Sequence, residues 1–270
     1  MSVLDQNLKQ SLLKGYISEK EESKFELLPE FLINDAASNQ KVLTTIIKEL
    51  QNCEEFWFSV AFITTSGVAT LMNTLIELKK RNIKGRIVGS KYLNFTQPLA
   101  LERLLENFSN IELRIAEQGD FHAKGYLFRK GETYNMIIGS SNLTSAALSK
   151  NKEWNLKISA QKESYIMRNA LEEFVKEFVK ATPVTKQWLL LYSEIYQNSI
   201  ASGQNAEVSL VHNEEILPNS MQKKALNNLE ELRNEGANKA LLISATGTGK
   251  TYLSAFDVAA FNPSKCLYVV

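Results

Sequence analysis

The sequence predicts an α/β fold, a layered sheet with helices on both faces, followed by the beginning of a second α/β unit that opens on a glycine-rich loop. Three observations predict it. Apolar runs of strand length alternate with amphipathic stretches of helical period over residues 39–198. One run, Phe56-Trp57-Phe58-Ser59-Val60-Ala61-Phe62-Ile63, is apolar at nearly every position, as a strand covered on both faces must be. Residues 199–218 then turn to Ser, Gly, Gln, Asn and Glu without apolar period, and a new strand–loop–helix pattern follows them.

In chain order, Leu4, Leu8, Leu12 and Leu13 make residues 1–38 an N-terminal helical segment, continued beyond the charged 19–24 by an apolar patch at 25–33. Val42, Leu43, Ile46, Ile47 and Leu50 fall at helical spacing and predict a helix over 39–50. After the buried strand, Thr64-Thr65-Ser66-Gly67 breaks the chain, and Ser66 is read as the cap of a helix over 68–80. A strand at 85–89, a helix at 97–107 with Pro98 in its first turn, and strands at 111–116, 121–128 and 134–138 come next. Residues 141–148 read as a helical turn, 154–159 as the last strand, and 165–180 and 184–197 as two helices separated by Pro183. Beyond the 199–218 linker, residues 219–270 hold a helix at 220–234, an apolar strand at 239–244, the glycine-rich turn 245–251, a helix at 252–260 and a strand at 266–270.

With 270 residues and 44% hydrophobic content, the chain can bury one substantial core and begin another. A net charge of +1 argues against a global affinity for polyanions. Its distribution is more informative: residues 1–60 carry six basic and ten acidic side chains, residues 80–130 ten basic and five acidic. The local excess in the second stretch favours an anionic substrate. Cys53 and Cys266 lie far apart in apolar settings, which excludes a disulfide framework or zinc site and predicts reduced, buried thiols in a cytoplasmic protein. No signal-like run opens the chain, and no window reaches the about 18 apolar residues of a membrane span, so no membrane association is expected.

The stretch with the most chemistry is Phe121-His122-Ala123-Lys124-Gly125-Tyr126-Leu127-Phe128. Read as a strand, it projects His122 and Lys124 to one face, where an imidazole can attack or protonate while an ammonium neutralises phosphate oxygens. Downstream, Gly139-Ser140-Ser141-Asn142 ends a strand. Its glycine and small hydroxyl residues let the backbone approach a phosphate, and the Asn142 amide can donate to a phosphoryl oxygen. Glu153 could accept the Nδ1 proton of His122 and so leave Nε2 as the nucleophile.

This constellation resembles the phospholipase D superfamily, whose motif is His-x-Lys, four residues, Asp, then Gly-Ser-x-Asn. The aspartate position falls on Arg129. Tyrosyl-DNA phosphodiesterases and some restriction nucleases of the superfamily also lack that aspartate, and Asn142 with Glu153 is similar to their variant. The resemblance implies a phospholipase D-like layered sheet and a metal-independent nuclease acting on DNA through a phosphohistidine. Lys124 and Asn142 would stabilise the charged transition state. Such a mechanism uses two histidines, whereas this chain has one motif; His212 lies in the linker without a lysine two residues on. A homodimer sharing one site between two copies of His122 is therefore expected.

Ala245-Thr246-Gly247-Thr248-Gly249-Lys250-Thr251 sits between a predicted strand and helix, the context of a phosphate loop. Gly247, Thr248 and Gly249 would turn backbone N–H groups toward phosphate, Lys250 would reach the β/γ-phosphates, and Thr251 would hold Mg²⁺. The loop resembles the first motif of superfamily 2 helicases, with Gln222 near their adenine-reading position, which implies ATP and Mg²⁺ as cofactors and the start of a RecA-like ATPase domain. The sequence stops at Val270 before an Asp-Glu-x-x segment, so the ATPase is expected to be incomplete here. Together the two resemblances imply a nuclease domain placed ahead of a DNA helicase. The alternative is a catalytically inactive DNA-binding and dimerisation module attached to that helicase; a lipid phosphodiester is a third and weaker substrate class.

Overall fold

The computed structural model describes residues 2–38, 40–117, 121–201, 218–243 and 250–266. The chain divides into two compact units, Met1–Val208 and Ser209–Val270.

The first unit is built on an eight-stranded sheet of order β1-β7-β6-β5-β2-β3-β4-β8. Its strands are β1 (Glu30–Leu32), β2 (Glu55–Val60), β3 (Lys84–Ser90), β4 (Ile111–Ala116), β5 (Lys124–Lys130), β6 (Thr133–Gly139), β7 (Asn155–Gln161) and β8 (Thr182–Pro183). β2, β3 and β4 are mutually parallel, joined by the helices α3 (Thr65–Lys80) and α4 (Pro98–Asn107). β5 runs antiparallel to β2, and β5, β6 and β7 form an antiparallel meander. The other helices of this unit are α1 (Val3–Tyr16), α2 (Val42–Asn52), α5 (Ser145–Ser149), α6 (Tyr165–Lys180) and α7 (Lys186–Ala201).

Both faces of the sheet are covered, as the apolar β2 run predicts. Alternate residues of the central strands point to opposite faces. Phe56, Phe58 and Val60 of β2, with Tyr126 and Phe128 of β5, pack among Val42, Ile46 and Leu50 of α2 and Leu71 and Leu75 of α3. Trp57, Leu127, Met136 and Ile158 face the other way, onto Met167, Phe174 and Phe178 of α6. Full burial of each large apolar side chain contributes about 1.5–3 kcal/mol, so this double-sided core fixes the register of β2 and β5.

Several expectations need correction. The apolar patch at 25–33 is not helical: it forms a 3-10 turn, Phe25–Leu27, and the edge strand β1, paired with β7. Three residues are too few to show a period, and what draws them to the sheet is a buried lysine. Lys157 of β7 has its Nζ 2.7 Å from Glu30 of β1 and 3.1 Å from Glu49 of α2. Thr64, not Ser66, caps α3, because its Oγ1 is the oxygen that meets the N–H of Gly67, at 3.1 Å. Thr182–Pro183, read only as a helix separator, pairs with β4.

In the second unit, α8 (Ser220–Asn234) and α9 (Lys250–Phe261) are joined by an Arg233–Asp257 ion pair with one contact of 2.8 Å. The strand expected at 239–244 is absent from its described part, 239–243, where Leu241 and Ile243 are exposed; a strand needs a neighbour for its backbone groups, and the described residues of this unit supply none. The strand expected at 266–270 lies almost entirely outside the described residues. Cys266 is exposed, not buried as expected. Cys53 is buried, and that burial pushes its thiol up to about 12.

Burial works against the charge of Lys157, but Glu30 and Glu49 outweigh it and raise the pKa. The resulting stabilisation is complete below the ordinary lysine value of 10.5 and is lost as pH climbs past it. Lys157→Met leaves two carboxylates without their cation and is expected to lower the unfolding free energy by about 3 kcal/mol in urea melts, with partial recovery on adding Glu49→Leu.

Candidate active site

β5 begins at Lys124, three residues later than the run of apolar residues suggests, because β2 ends at Val60 and Val60–Lys124 is the last pair between them. His122 and Ala123 precede the strand, tied back by the Ala61 N–H, which donates to the Ala123 carbonyl at 2.9 Å. His122 is exposed and Lys124 half-buried. They meet all the same: Lys124 Nζ lies 2.7 Å from Nδ1, 3.2 Å from Nε2 and 2.8 Å from the His122 carbonyl oxygen. An ammonium has no lone pair to offer, so a ring nitrogen in contact with Nζ can only accept. Partial burial lowers the Lys124 pKa, while the charge of Glu153 acts to raise it.

The loop after β6 lies against the chain that leaves β2. The Leu143 N–H donates to the Phe62 carbonyl, and the Thr64 N–H donates to the Leu143 carbonyl, both at 3.1 Å. A side chain on Gly67 would place its Cβ 2.0 Å from the Leu143 oxygen, so only glycine lets helix α3 and this loop approach so closely. Asn142 is oriented by the same contact. Its Oδ1 accepts from the Phe62 N–H at 3.1 Å, which leaves the amide NH₂ as its donor end. The Phe62 ring stands 5.7 Å from the His122 imidazole, so one residue borders both His122 and Asn142.

Ser140 and Ser141 have different roles. Ser140 is exposed; its hydroxyl donates to the Glu153 carboxylate and accepts from the Trp154 N–H at 3.1 Å. Ser141 is fully buried, bonded to Asn155 through both backbone and hydroxyl, and its carbonyl accepts from Tyr126 Oη at 3.0 Å. Glu153 does not hold the Nδ1 proton of His122 as expected: it engages Ser140, and Lys124 takes Nδ1. The carboxylate is committed because Ser140 and Trp154 pair across the end of β6 and β7 and bring the hydroxyl to it.

Arg129 answers the question left by the missing aspartate. It sits at the far end of β5, paired in register with Glu55, and makes ion pairs with Glu54 at 2.6 Å and Glu55 at 3.7 Å. Five residue steps along the strand separate it from Lys124, roughly 16 Å, so the departure from the motif falls on a structural position.

Phe62 and Tyr92 are neighbours that reading the sequence missed; the Tyr92 ring lies 6.5 Å from the imidazole. The only available signal was that Phe62 lies next to the end of the apolar run. Of the phosphate-loop residues, Gly247, Thr248 and Gly249 lie outside the described residues, while Lys250 and Thr251 open α9. Gln222 is buried, and its amide oxygen closes a capping box with the Asn219 N–H at 2.9 Å.

Residues 46–178 match the family model described as cardiolipin synthase, PLD-like domain. These residues are a phospholipase D-like domain. Residues 215–270 match the model described as type III restriction enzyme, res subunit, in keeping with the start of a P-loop unit. Comparison with curated proteins gives no match. Among solved structures, the chain is similar to Nuc, a phospholipase D family member from Salmonella typhimurium, at 18% identity and TM-score 0.47, over 58% of this chain and 99% of that one. It is also similar to NucT from Helicobacter pylori (14%, TM-score 0.46, 58% and 98%) and to a yeast tyrosyl-DNA phosphodiesterase 1 mutant (12%, TM-score 0.39, 63% and 41%).

In the phospholipase D-like domain, Gly139 is where β6 and β7 close up: a Cβ there would meet the Trp154 oxygen at 2.2 Å. Gly139→Ala should therefore push Ser140 off Glu153 and cost about 1–3 kcal/mol in thermal or urea unfolding.

Proposed function

We propose that the phospholipase D-like domain is a metal-independent DNA phosphodiesterase that acts through a phosphohistidine in a homodimer. It would act coupled to an ATP-dependent DNA helicase or translocase. The observation that carries this reading is the 2.7 Å contact of Lys124 Nζ with His122 Nδ1, beside an Asn142 amide whose donor end is free of the Phe62 backbone.

A phosphodiester entering the site offers Lys124 a stronger partner than the imidazole, since charge-assisted bonds to phosphate exceed those to a neutral ring nitrogen. Nδ1 is then released and can carry the ring proton. Nε2 of one His122 attacks phosphorus; the N–P bond forms as the P–O bond to the leaving group breaks. The second His122, as the imidazolium, gives its Nε2 proton to the departing oxygen and is left as the neutral ring. Water then attacks phosphorus, surrendering a proton to the second histidine, and the N–P bond breaks. Lys124 and Asn142 stabilise the equatorial oxygens in both steps.

A shared site is supported by the surface beside Ser140. Trp154, bonded to Ser140 through its backbone, is 71% exposed, Phe31 58% and Ile138 50%; Phe31 and Trp154 stand edge to face at 5.4 Å. Apolar side chains grouped in this way mark an interface. DNA is favoured over lipid by the Asn142–Glu153 variant of the motif and by the basic balance of residues 80–130. For the second unit, Lys250 and Thr251 in the first turn of α9 have the chemistry to hold phosphate and Mg²⁺, where the helix dipole favours an anion. The alternative, an inactive DNA-binding and dimerisation module, has one observation in its favour, that Glu153 is bound to Ser140 and not to His122.

Cleavage of labelled DNA in excess EDTA should persist in the wild type and fall at least a thousandfold in His122→Ala; equal rates would remove the catalytic assignment. Trp154→Arg is expected to convert the dimer to monomer in sedimentation and to abolish cleavage with it, whereas an active monomer would rule out the shared site.

A further inference from the structure

We propose that the turn after β3 is a base-stacking platform, so that the site accepts a nucleic acid strand with an unpaired, unstacked base next to the scissile phosphate. This rests on the phosphodiesterase reading and specifies its substrate.

The turn carries Tyr92 and Phe95 to the reactive histidine. Tyr92 and Phe62 both stand at 76° to the imidazole plane, and Phe95 packs on Phe62 at 4.8 Å. Tyr92 is 39% exposed. Its position is built. Buried Ser90 donates its hydroxyl to the Ala61 carbonyl at 3.0 Å and accepts the Tyr92 N–H at 3.2 Å. At the other end of the turn, buried Thr96 accepts the Ile63 N–H at 3.3 Å, and its carbonyl takes the hydroxyl of buried Tyr192 at 2.7 Å. Gln97 accepts the Thr65 N–H at 2.7 Å. Asn94 turns the chain at a φ of 55°, a conformation asparagine tolerates better than most residues. Buried polar groups are costly unless satisfied, and three are used here to fix one exposed ring.

A fixed aromatic face next to a phosphate site fits a nucleobase. Stacking is tolerant of sequence because every base has a π face. In a duplex those faces are covered by neighbouring pairs, so a side-chain ring can take only a base drawn out of the stack or one in a single strand. Lys124 would hold the phosphate while Tyr92 holds the adjoining base.

The test compares wild type, Tyr92→Phe and Tyr92→Ala on a single-stranded oligonucleotide and on the same strand with every base replaced by an abasic sugar. Loss of one stacked base corresponds to about a five- to hundred-fold effect. Tyr92→Ala should raise KM on the base-bearing strand by that factor, with a much smaller change on the abasic strand, and Tyr92→Phe should behave as wild type. Equal losses on both strands would mean that Tyr92 only orients His122, and faster cleavage of duplex than of single strand would also overturn the proposal. If wild type cleaves neither strand, the phosphodiesterase reading fails separately. Fluorescence anisotropy then decides the platform: tighter binding of the base-bearing strand, abolished by Tyr92→Ala, upholds it, and equal affinities refute it.

Discussion

The hydrogen bonds of the short stretch after β2 are the constraint on which the site depends. From Ala61 to Thr64 every backbone donor and acceptor is taken, by three distant parts of the chain and by the helix that follows. Ala61 binds Ala123 on one side and Ser90 on the other; Phe62 binds Asn142 and Leu143; Ile63 binds Thr96 and Gln97; Thr64 binds Leu143 and Val68. These segments carry the residues of the candidate site: His122 and Lys124 with the first, Tyr92 with the second, Asn142 with the third. A buried backbone must find partners for all its polar groups, and here that requirement assembles the site. Side chains far apart in sequence converge because they complete the same four residues.

Much of this was legible before any coordinates. The apolar run at Phe56–Ile63 signals a strand covered twice, and the core formed by Phe56, Phe58, Tyr126 and Phe128 follows from it. His122, Lys124 and Asn142 are recognisable because phosphate chemistry needs a nucleophile, a cation and a neutral donor, and few segments supply them in this order. Arg129 was legible only as a departure. Its structural meaning needed the register, which places it opposite Glu55 at the end of β5 away from Lys124.

What stayed hidden is what no local pattern encodes. β1 is held by Glu30 reaching a lysine that follows it by more than a hundred residues, and three-residue strands carry no periodicity. Strand alternation suggested that His122 and Lys124 would meet as i and i+2 neighbours on one strand. They meet instead because the Lys124 side chain folds back over the residue that precedes the strand. The role expected of Glu153 depended on which of two partners was nearer, Ser140 or His122, and spacing cannot rank them. Tyr92 was passed over because an isolated tyrosine in a turn has no signature until its neighbours are known.

The two rims of the sheet also limit how copies of this chain can associate. A long open edge strand invites another chain to add to the ladder and so to aggregate. Here one rim is β1, three residues long, and the other is β8, two residues long and ending in Pro183, which has no N–H to offer. Neither rim is a template for sheet extension. Pairing through them would be brief and poorly bonded, so a stable assembly must form through side chains, face to face or loop to loop. The fold thus discourages sheet extension while leaving the Trp154 side chain exposed at the end of the sheet where His122 lies.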